Sequence, residues 1–574
     1  MKNWLVILLC CFPYVLWGQN NAAPALERNV TINVKNQPVS VILTSISMQA
    51  DCVFSYNPDA INSSNVRSIS LSQKPVRQAL NLLFEGNVQY KERGKYVILK
   101  KAEDVNASKK EHLIEGYVYD AKSGQRLTET SIYDKQLLTS TITDKYGYFR
   151  MEVPSDQHKS RMHISKQGYS DTLISPLEGK TSFVNIELSS KATDINPESF
   201  GNSSNLPQHS RFQSWLISKN IRINTRNVTD TIFKNVQISL LPFVSTNKLL
   251  TGSTVNKFSL NLTVGFIQGV QVAEVGGVMN FVRNDAKYVQ LAGVGNTVGG
   301  SNKGIQAGGV YNVTKNMKGV QLGGVVNVVR DSAGKYQAAG VANIVGKSFH
   351  GLQIAGVFNQ TRNIKGFQIA GVLNNAKNVS GLQLSGLINN ATYIKGVQLS
   401  VFNFADSCEG VPIGLFSFVK NGYHKIEISA DELFVNLAIR TGVQRFHTMF
   451  MMGIQPGNFK IPLWYYGYGV GTTFGKQEKL LYDIDISEQQ ISKGSFSKTQ
   501  HAIYRIYTGI DRKIAPKISI AVGIDYNAYI SDTKLSTYQE DYVSIAPYYL
   551  SNTTFHNGLN MKTWVGAKIA LRFL

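Results

Sequence analysis

The chain has 574 residues, with 59 Lys and Arg against 38 Asp and Glu, a net charge of +21. Only 17% of its residues are charged, where an average soluble domain has roughly 25%, and Gly is abundant (49) while Pro is scarce (15). Equal counts of Tyr and Phe, 27 each, exclude the aromatic-poor profile of disorder. Past the first twenty residues no apolar run reaches the length of about 18 that a membrane helix needs, so a polytopic helical protein is excluded and a mainly β, multidomain chain is left.

At the start of the chain, Lys2 precedes an apolar stretch, Leu5 to Leu16, and Trp17-Gly18-Gln19 supplies a processing point. This pattern predicts an export leader over residues 1–19. Leu9 stands where lipidation of Cys10 would want a small residue. With Cys10 and Cys11 inside the leader, Cys52 and Cys408 remain, too far apart for a disulfide framework or a metal site, and both are expected to pack in cores.

Residues 28–102 read as mixed α/β. Val30 to Val34 alternates as a strand, and Val39, Leu43, Ile46 and Met48 recur at near-helical spacing. Cys52 to Tyr56 and Val66 to Leu71 are further strands, Pro75 opens a second helix carrying Val76, Leu80, Leu82 and Leu83, and a hairpin turns at Arg93-Gly94. The order β-α-β-β-α-β-β, with Val53-Phe54-Ser55-Tyr56-Asn57, Ala79-Leu80-Asn81-Leu82-Leu83 and Tyr96-Val97-Ile98-Leu99 as its carriers, resembles the secretin/TonB short N-terminal domain. That resemblance implies a periplasmic protein–protein contact module with no catalytic residues.

Residues 113–190 read as a small β-sandwich. Ile114 to Val118 opens it, Asp120 to Gln125 turns, and Thr143-Asp144-Lys145-Tyr146-Gly147-Tyr148-Phe149 follows. Thr143, Asp144, Gly147 and Phe149 match the T-D-x-x-G-x-F turn of the carboxypeptidase regulatory-like domain, which this segment resembles; the resemblance implies a structural module and no peptidase. Locally, Asp144 suits a side-chain-capped turn and Gly147 a positive-φ position. Residues 191–229 read as a linker, and residues 230–285 as entry strands around Phe233 to Phe243 and Phe258 to Phe266.

A fifteen-residue repeat fills residues 286–419. Gln290, Gln306, Gln321, Gln337, Gln353, Gln368, Gln383 and Gln398 recur every 15 or 16 residues. Gly293, Gly309, Gly324, Gly340, Gly356, Gly371 and Gly386 follow the first seven by three, and Asn296, Asn312, Asn327, Asn343, Asn359, Asn374 and Asn389 by six. An earlier degenerate copy is Glu274, Gly277 and Asn280, and the last unit breaks register at Val401 and Asn403. The unit G-[LFV]-Q-[IL]-[AS]-[GV]-[VLF] resembles the glycine-rich surface repeats of bacterial envelope proteins.

Read with period two, Phe367, Ile369, Gly371 and Leu373 share an apolar face, and Gln368, Ala370, Val372 and Asn374 share a small one. Two architectures fit. In a β-solenoid each unit is a coil, the Gln and Asn columns form amide ladders, and the apolar face fills the interior. In a transmembrane barrel each unit is a strand with its apolar face on lipid. Near-constant turn length and the recurring Ile364, Val379 and Ile394, readable as a second core wall, favour coils. The turns carry the charge: eleven Lys/Arg and one Asp lie within 286–405.

Residues 420–574 alternate as strands of about ten residues. Val565, Ala567, Ile569, Leu571 and Phe573 oppose Trp564, Gly566, Lys568, Ala570 and Arg572, and Leu480, Tyr482, Ile484 and Ile486 oppose Leu481, Asp483, Asp485 and Ser487. Apolar-out, polar-in strands ending in an aromatic one predict an antiparallel outer-membrane β-barrel, closed so that no backbone group is unpaired in lipid. Phe573 is penultimate, where many such barrels end on Phe itself.

No HExxH, paired CxxC or G-x-S-x-G elbow occurs, Gly299 to Gly304 lacks P-loop spacing, and the nine His form no ligand-spaced cluster. Asp483 and Asp485 are expected to be lumen-facing charges. No catalytic, cofactor or metal site is predicted, and no cofactor. The turn-located basic excess points away from nucleic acid and toward anionic lipid headgroups or surface polysaccharide. The whole resembles exported outer-membrane proteins of Bacteroidota. It implies a non-enzymatic protein of the outer membrane, with periplasmic N-terminal modules, a docking partner in the periplasm or inner membrane for residues 28–102, and a binding or signal-relay role. A channel or transporter, and a surface adhesin scaffold, are the alternatives.

Overall fold

The computed structural model describes residues 23–101, 111–154, 161–175, 181–191, 216–457, 462–477, 479–494, 501–532, 545–556 and 558–573. The predicted leader and most of the predicted linker lie outside them. The chain divides into two compact units: the N-terminal domains with residues 218–232 and 247–253, and the remainder from residue 233 onward.

In the first unit the predicted β-α-β-β-α-β-β order is present. The first helix, Val39–Ala50, buries Val39, Ile42, Leu43, Ile46 and Ala50, one stripe at i, i+3, i+4, i+7 and i+11, and ends on Asp51 in the left-handed region (φ 42°). The second, Val76–Phe84, follows Pro75 and buries Val76, Ala79, Leu80 and Leu83. Both pack on a pair of antiparallel strands (Asn29–Pro38 with Val66–Pro75) and a three-stranded sheet in which Val53–Tyr56 runs parallel to Tyr96–Lys101. Cys52 lies in this core, while Cys408 is partly buried beside the repeat core of the second unit.

The second domain is two small sheets closed over one core of Ile114, Val118, Ile132, Phe149, Ile164 and Leu188, among others. Glu111–Asp120 is central in one sheet, parallel to Thr181–Leu188 and antiparallel to Tyr148–Pro154. At the predicted turn Asp144 Oδ1 accepts from the Tyr146 and Tyr148 amides (2.8 and 3.0 Å), and Gly147 takes φ 74°. Within the span read as linker, Lys219–Asn227 is a helix capped by Ser218. Its last residue ties it to the sandwich through Asn227 Nδ2 donating to the Glu129 carbonyl (2.6 Å).

In the second unit the repeats form a β-solenoid of about eleven coils. Successive coils pair parallel and in register, so that Gln368 lies beside Gln383 and Asn374 beside Asn389. The entry strands and the degenerate copy belong to the same sheet.

One expectation is overturned. The apolar face does not fill the interior: Phe367 is 53% exposed and Ile369 and Leu373 are only half-buried, while Gln368, Gln383, Asn374 and Asn389 are fully buried. Val372, which period two places with the amide face, turns outward instead at 40% exposure. The interior is made instead by the amide columns, by small residues such as Ala376 and Ala391, and by Ile364, Val379 and Ile394, which are not turn residues forming a second wall but lie within paired strands. The physical reason lies in the Asn and Gln columns. A buried amide must find partners, and parallel stacking gives every one of them an identical neighbour.

Eight antiparallel strands follow: Tyr423–Ala430, Val435–Val443, Phe446–Ile454, Leu463–Gln477, Leu480–Lys493, His501–Ala515, Ile518–Asp532 and Leu559–Phe573. The last returns to pair with the first (Ile426 with Phe573, Ala430 with Ile569), closing a barrel. Connections at one end have two residues each (444–445, 478–479, 516–517). Those at the other run 431–434, 455–462, 494–500 and 533–558, the last of which carries a short ninth strand of the sheet, Ser551–Thr554, paired with Leu559–Phe573.

Candidate functional site

Three places gather polar side chains out of water. The first is the solenoid interior, where every Gln and Asn column residue named from the sequence is found. Each Gln Nε2 donates to the Oε1 of the preceding coil, as from Gln306 to Gln290, Gln321 to Gln306 and Gln353 to Gln337, all at 2.8 Å. The Asn ladder runs the other way. Each Nδ2 donates to the Oδ1 of the following coil, Asn296 to Asn312 at 2.9 Å and Asn343 to Asn359 at 3.0 Å, and also to a backbone carbonyl of that coil (Asn343 to Ile354, 2.6 Å).

The ladders have defined ends. Gln290 donates to Glu274 Oε2 (2.9 Å), so the degenerate copy puts a carboxylate, an acceptor, where only an acceptor is needed. At the far end Gln398 pairs in register with Pro412, and its Oε1 has no hydrogen-bond partner. Asn403, the register-breaking residue, stays in its column, accepting from Asn389 (3.1 Å) and donating to Ser417 Oγ (3.3 Å).

The glycine column three places after each Gln is steric. A Cβ on Gly309 would stand 2.0 Å from the Gly293 carbonyl oxygen, and one on Gly324 1.9 Å from that of Gly309. These columns are structural, and they present no nucleophile and no titratable group in mid-ladder.

The second place is the barrel lumen. Arg440 grips Asp485 with two nitrogens (2.7 and 3.1 Å) and Glu427 with a third (2.9 Å), and faces His447 Nε2 at 2.9 Å. Arg572 bonds Glu427 (2.7 Å), Asp511 (2.9 Å) and Asp483, while Lys568 bonds Glu427 (3.1 Å) and lies 3.9 Å from the Tyr507 ring centre. Arg505 bonds Asp431 (2.6 Å) and Asn527 (2.7 Å). Asp483 and Asp485 are therefore lumen residues, as expected, but each answers a different arginine and they do not act as a carboxylate pair.

Glu427 and Arg440, the centre of this network, were missed in the sequence. Their signal is the alternation Ile426-Glu427-Ile428-Ser429 and Leu437-Ala438-Ile439-Arg440 in strands of only eight and nine residues. Trp564, Tyr465, Tyr507 and Tyr529 fill the remaining width. The cavity left among Glu427, Arg440, Asp485 and Lys568 is about 20 Å³, room for about one water. Among the described residues no group of three His, Cys, Asp or Glu could hold a metal ion.

The third place joins the two N-terminal domains. Glu27, whose side chain is 2% exposed, accepts from Tyr117 Oη (2.7 Å), Arg77 Nε (3.0 Å) and Arg126 (3.4 Å). Arg77 in turn lies 4.0 Å from the Tyr148 ring centre. Burial and the Glu27 carboxylate push the Tyr117 hydroxyl far above its ordinary pKa, so it stays a donor. The α/β domain and the sandwich are thus clamped by one buried carboxylate shared between them.

These features define a class by architecture: a closed eight-stranded antiparallel barrel continued from a parallel solenoid with an amide interior, together with a separate unit of two small domains. No family model, curated protein or solved structure matches the chain.

Proposed function

We propose that the chain is a non-enzymatic outer-membrane protein, its barrel in the bilayer and its N-terminal domains in the periplasm, serving binding or signal relay at the cell envelope. The barrel's outer wall carries the reading. Ile426, Ile428, Ile439, Ile484, Ile486, Ile506, Ile524, Ile569 and Leu571 all face outward and are exposed, while the charges face inward and pair. In water such a wall would be a very large unpartnered apolar patch, and in hydrocarbon it is the ordinary solution. Two-residue turns at one end against longer connections at the other match the periplasmic and extracellular ends of such barrels.

The docking role rests on the α/β domain. It presents register partners Val53 and Tyr96 exposed together, with Met48 exposed at 79% on the first helix. A protein partner in the periplasm or inner membrane is the occupant this chemistry suits.

The packed lumen favours this reading over a channel. Eight strands enclose a width that side chains fill, and here they do. Expressed with its N-terminal segment, the protein should fractionate with outer membranes and migrate faster unheated than boiled in detergent gels. A freely soluble monomer in detergent-free buffer would overturn the assignment. In planar bilayers the purified protein should give no steady conductance, and open-channel currents would revive the transporter alternative.

A further inference from the structure

We infer that the solenoid itself lies in the membrane interface, its apolar ridge sunk among the acyl chains of the leaflet at the barrel's short-turn end and its opposite, basic edge turned to anionic headgroups. This inference rests on the barrel being lipid-embedded, and goes beyond it by assigning a lipid surface to the repeats.

The ridge is a single column at the corner of every coil. Val310, Val325, Val341, Val357, Val372 and Leu387 are each between 40% and 43% exposed. The rows flanking it are also apolar and face out, as with Ile369 and Leu373. Beside the ridge runs an open groove of about 700 Å³ lined by Leu291, Leu322 and the glycine column, a smooth apolar trough without a charged residue. With about eleven coils spaced at about 4.8 Å, the ridge is about 50 Å long. Monomeric proteins in water rarely leave an apolar surface of that extent uncovered.

The other side of each coil is basic. Half a coil, seven or eight residues, separates Lys365 from Val372 and Leu387 from Lys395. Lys365 and Lys395 are stacked through Ser380 in adjacent coils, and Lys318, Arg362 and Lys377 are likewise exposed, within the strands Tyr311–Gly323, Phe358–Ala370 and Leu373–Ser385. Asp331 is the only acid between residues 286 and 405, and it is taken by Lys347 (2.9 Å). The cross-section is that of an interfacial amphipathic helix built from β-structure, with apolar and cationic sides on opposite faces.

Continuity fixes the occupant. The last coil rests on the barrel wall. Phe404 meets Phe416 (ring centres 6.3 Å), Phe416 meets Phe450 (6.0 Å), Phe450 meets Tyr468 (5.5 Å), and Tyr468 Oη donates to the Gly414 carbonyl (3.1 Å). Phe450 belongs to the barrel's outward face, so the solenoid's apolar exterior and the barrel's are one surface. Val443 and Phe446, flanking a two-residue turn, pack into the solenoid core, which places the solenoid at the short-turn end.

The test uses the full chain, with Cys10, Cys11, Cys52 and Cys408 replaced by Ser, reconstituted in vesicles of phosphatidylcholine and phosphatidylglycerol. Single cysteines carrying an environment-sensitive fluorophore are placed at Val372→Cys, Val357→Cys, Lys365→Cys and, on the barrel wall, Val522→Cys. Labels at 357, 372 and 522 should be quenched by chain-brominated lipid and be several-fold less sensitive to aqueous iodide than the label at 365. Iodide access at 357 and 372 with lipid quenching at 522 overturns the inference and leaves the barrel reading standing. Protection of 357 and 372 from both quenchers, the mark of a second copy seated on the ridge, overturns it as well. Iodide access at all four positions overturns both.

Discussion

Solenoid and barrel both bury polar side chains behind an outward apolar face, yet those buried polar groups have opposite chemistry. The solenoid uses neutral amides and only one buried carboxylate, Glu274, at a ladder end. The barrel uses a dense network of carboxylates and guanidinium groups. Strand direction explains the difference. In-register parallel coils place each residue beside its own kind, about 4.8 Å away, so a charge repeated along a column would meet only like charges. An amide is both donor and acceptor and can partner itself. Antiparallel barrel strands bring unlike positions together, as Glu427 to Arg572 and Asp485 to Tyr507 in register, and acid can then be set against base.

The hardest blow to this contrast should come from the barrel. Arg572→Met leaves Glu427, Asp483 and Asp511 buried without a cation they now share, at a cost of about 3–5 kcal/mol. The urea midpoint of the refolded protein, followed by tryptophan fluorescence, should fall accordingly, and an unchanged midpoint would mean that the network contributes nothing to stability.

A milder loss is expected in the solenoid. Gln337→Glu can still accept from Gln353 but cannot donate to Gln321, so it leaves a buried acceptor facing a carboxylate. About 2–3 kcal/mol should be lost, read as faster proteolysis within 320–360. If mid-ladder Glu is as stable as Gln, the self-pairing argument fails.

Smaller again is Glu27→Gln at the domain clamp, where weakening the charge-assisted bonds from Arg77 and Arg126 should cost about 1–2 kcal/mol. Amide exchange around residues 25–29 and 115–118 should rise while the repeats are unaffected.

The smallest effect is one of pH. Lys135, bonded to Asp230 at 2.5 Å, holds that half-exposed carboxyl below its ordinary value. A depressed carboxyl contributes stability above its unfolded pKa of about 3.9 and loses it as pH falls through the lower folded value. Asp230→Asn should therefore lower thermal stability slightly at pH 7 and not at all near pH 2.

Much of this was legible in the sequence. The N-terminal element order follows from helical stripes and Pro75, and the alternation at 480–487 and 564–573 assigns inside and outside correctly, because one face is aromatic and aliphatic and the other charged. The repeat's period is equally plain. Its polarity is not, because the rule that apolar residues go inside competes with the rule that buried amides must be paired. Only the register of Gln on Gln and Asn on Asn shows the second prevailing. The lumen network escaped for a different reason: Glu427 and Arg440 sit on short strands whose partners, Asp485 and Arg572, lie 45 and 145 residues away in the chain.

The ladder ends have a consequence for self-assembly. A stack of identical coils with repeating amides is the geometry of a growing fibril, each open face a template for the next molecule. Here the coil carrying Glu274 is not an open face: Thr254–Asn261 pairs parallel over it, with Asn261 donating to the other Glu274 oxygen (2.9 Å) and Ile232–Leu241 beyond. At the far end Pro412 offers Gln398 neither side-chain amide nor backbone N–H. The entry strands thus cover the first rung and a proline ends the last, which keeps a polymerisable motif finite.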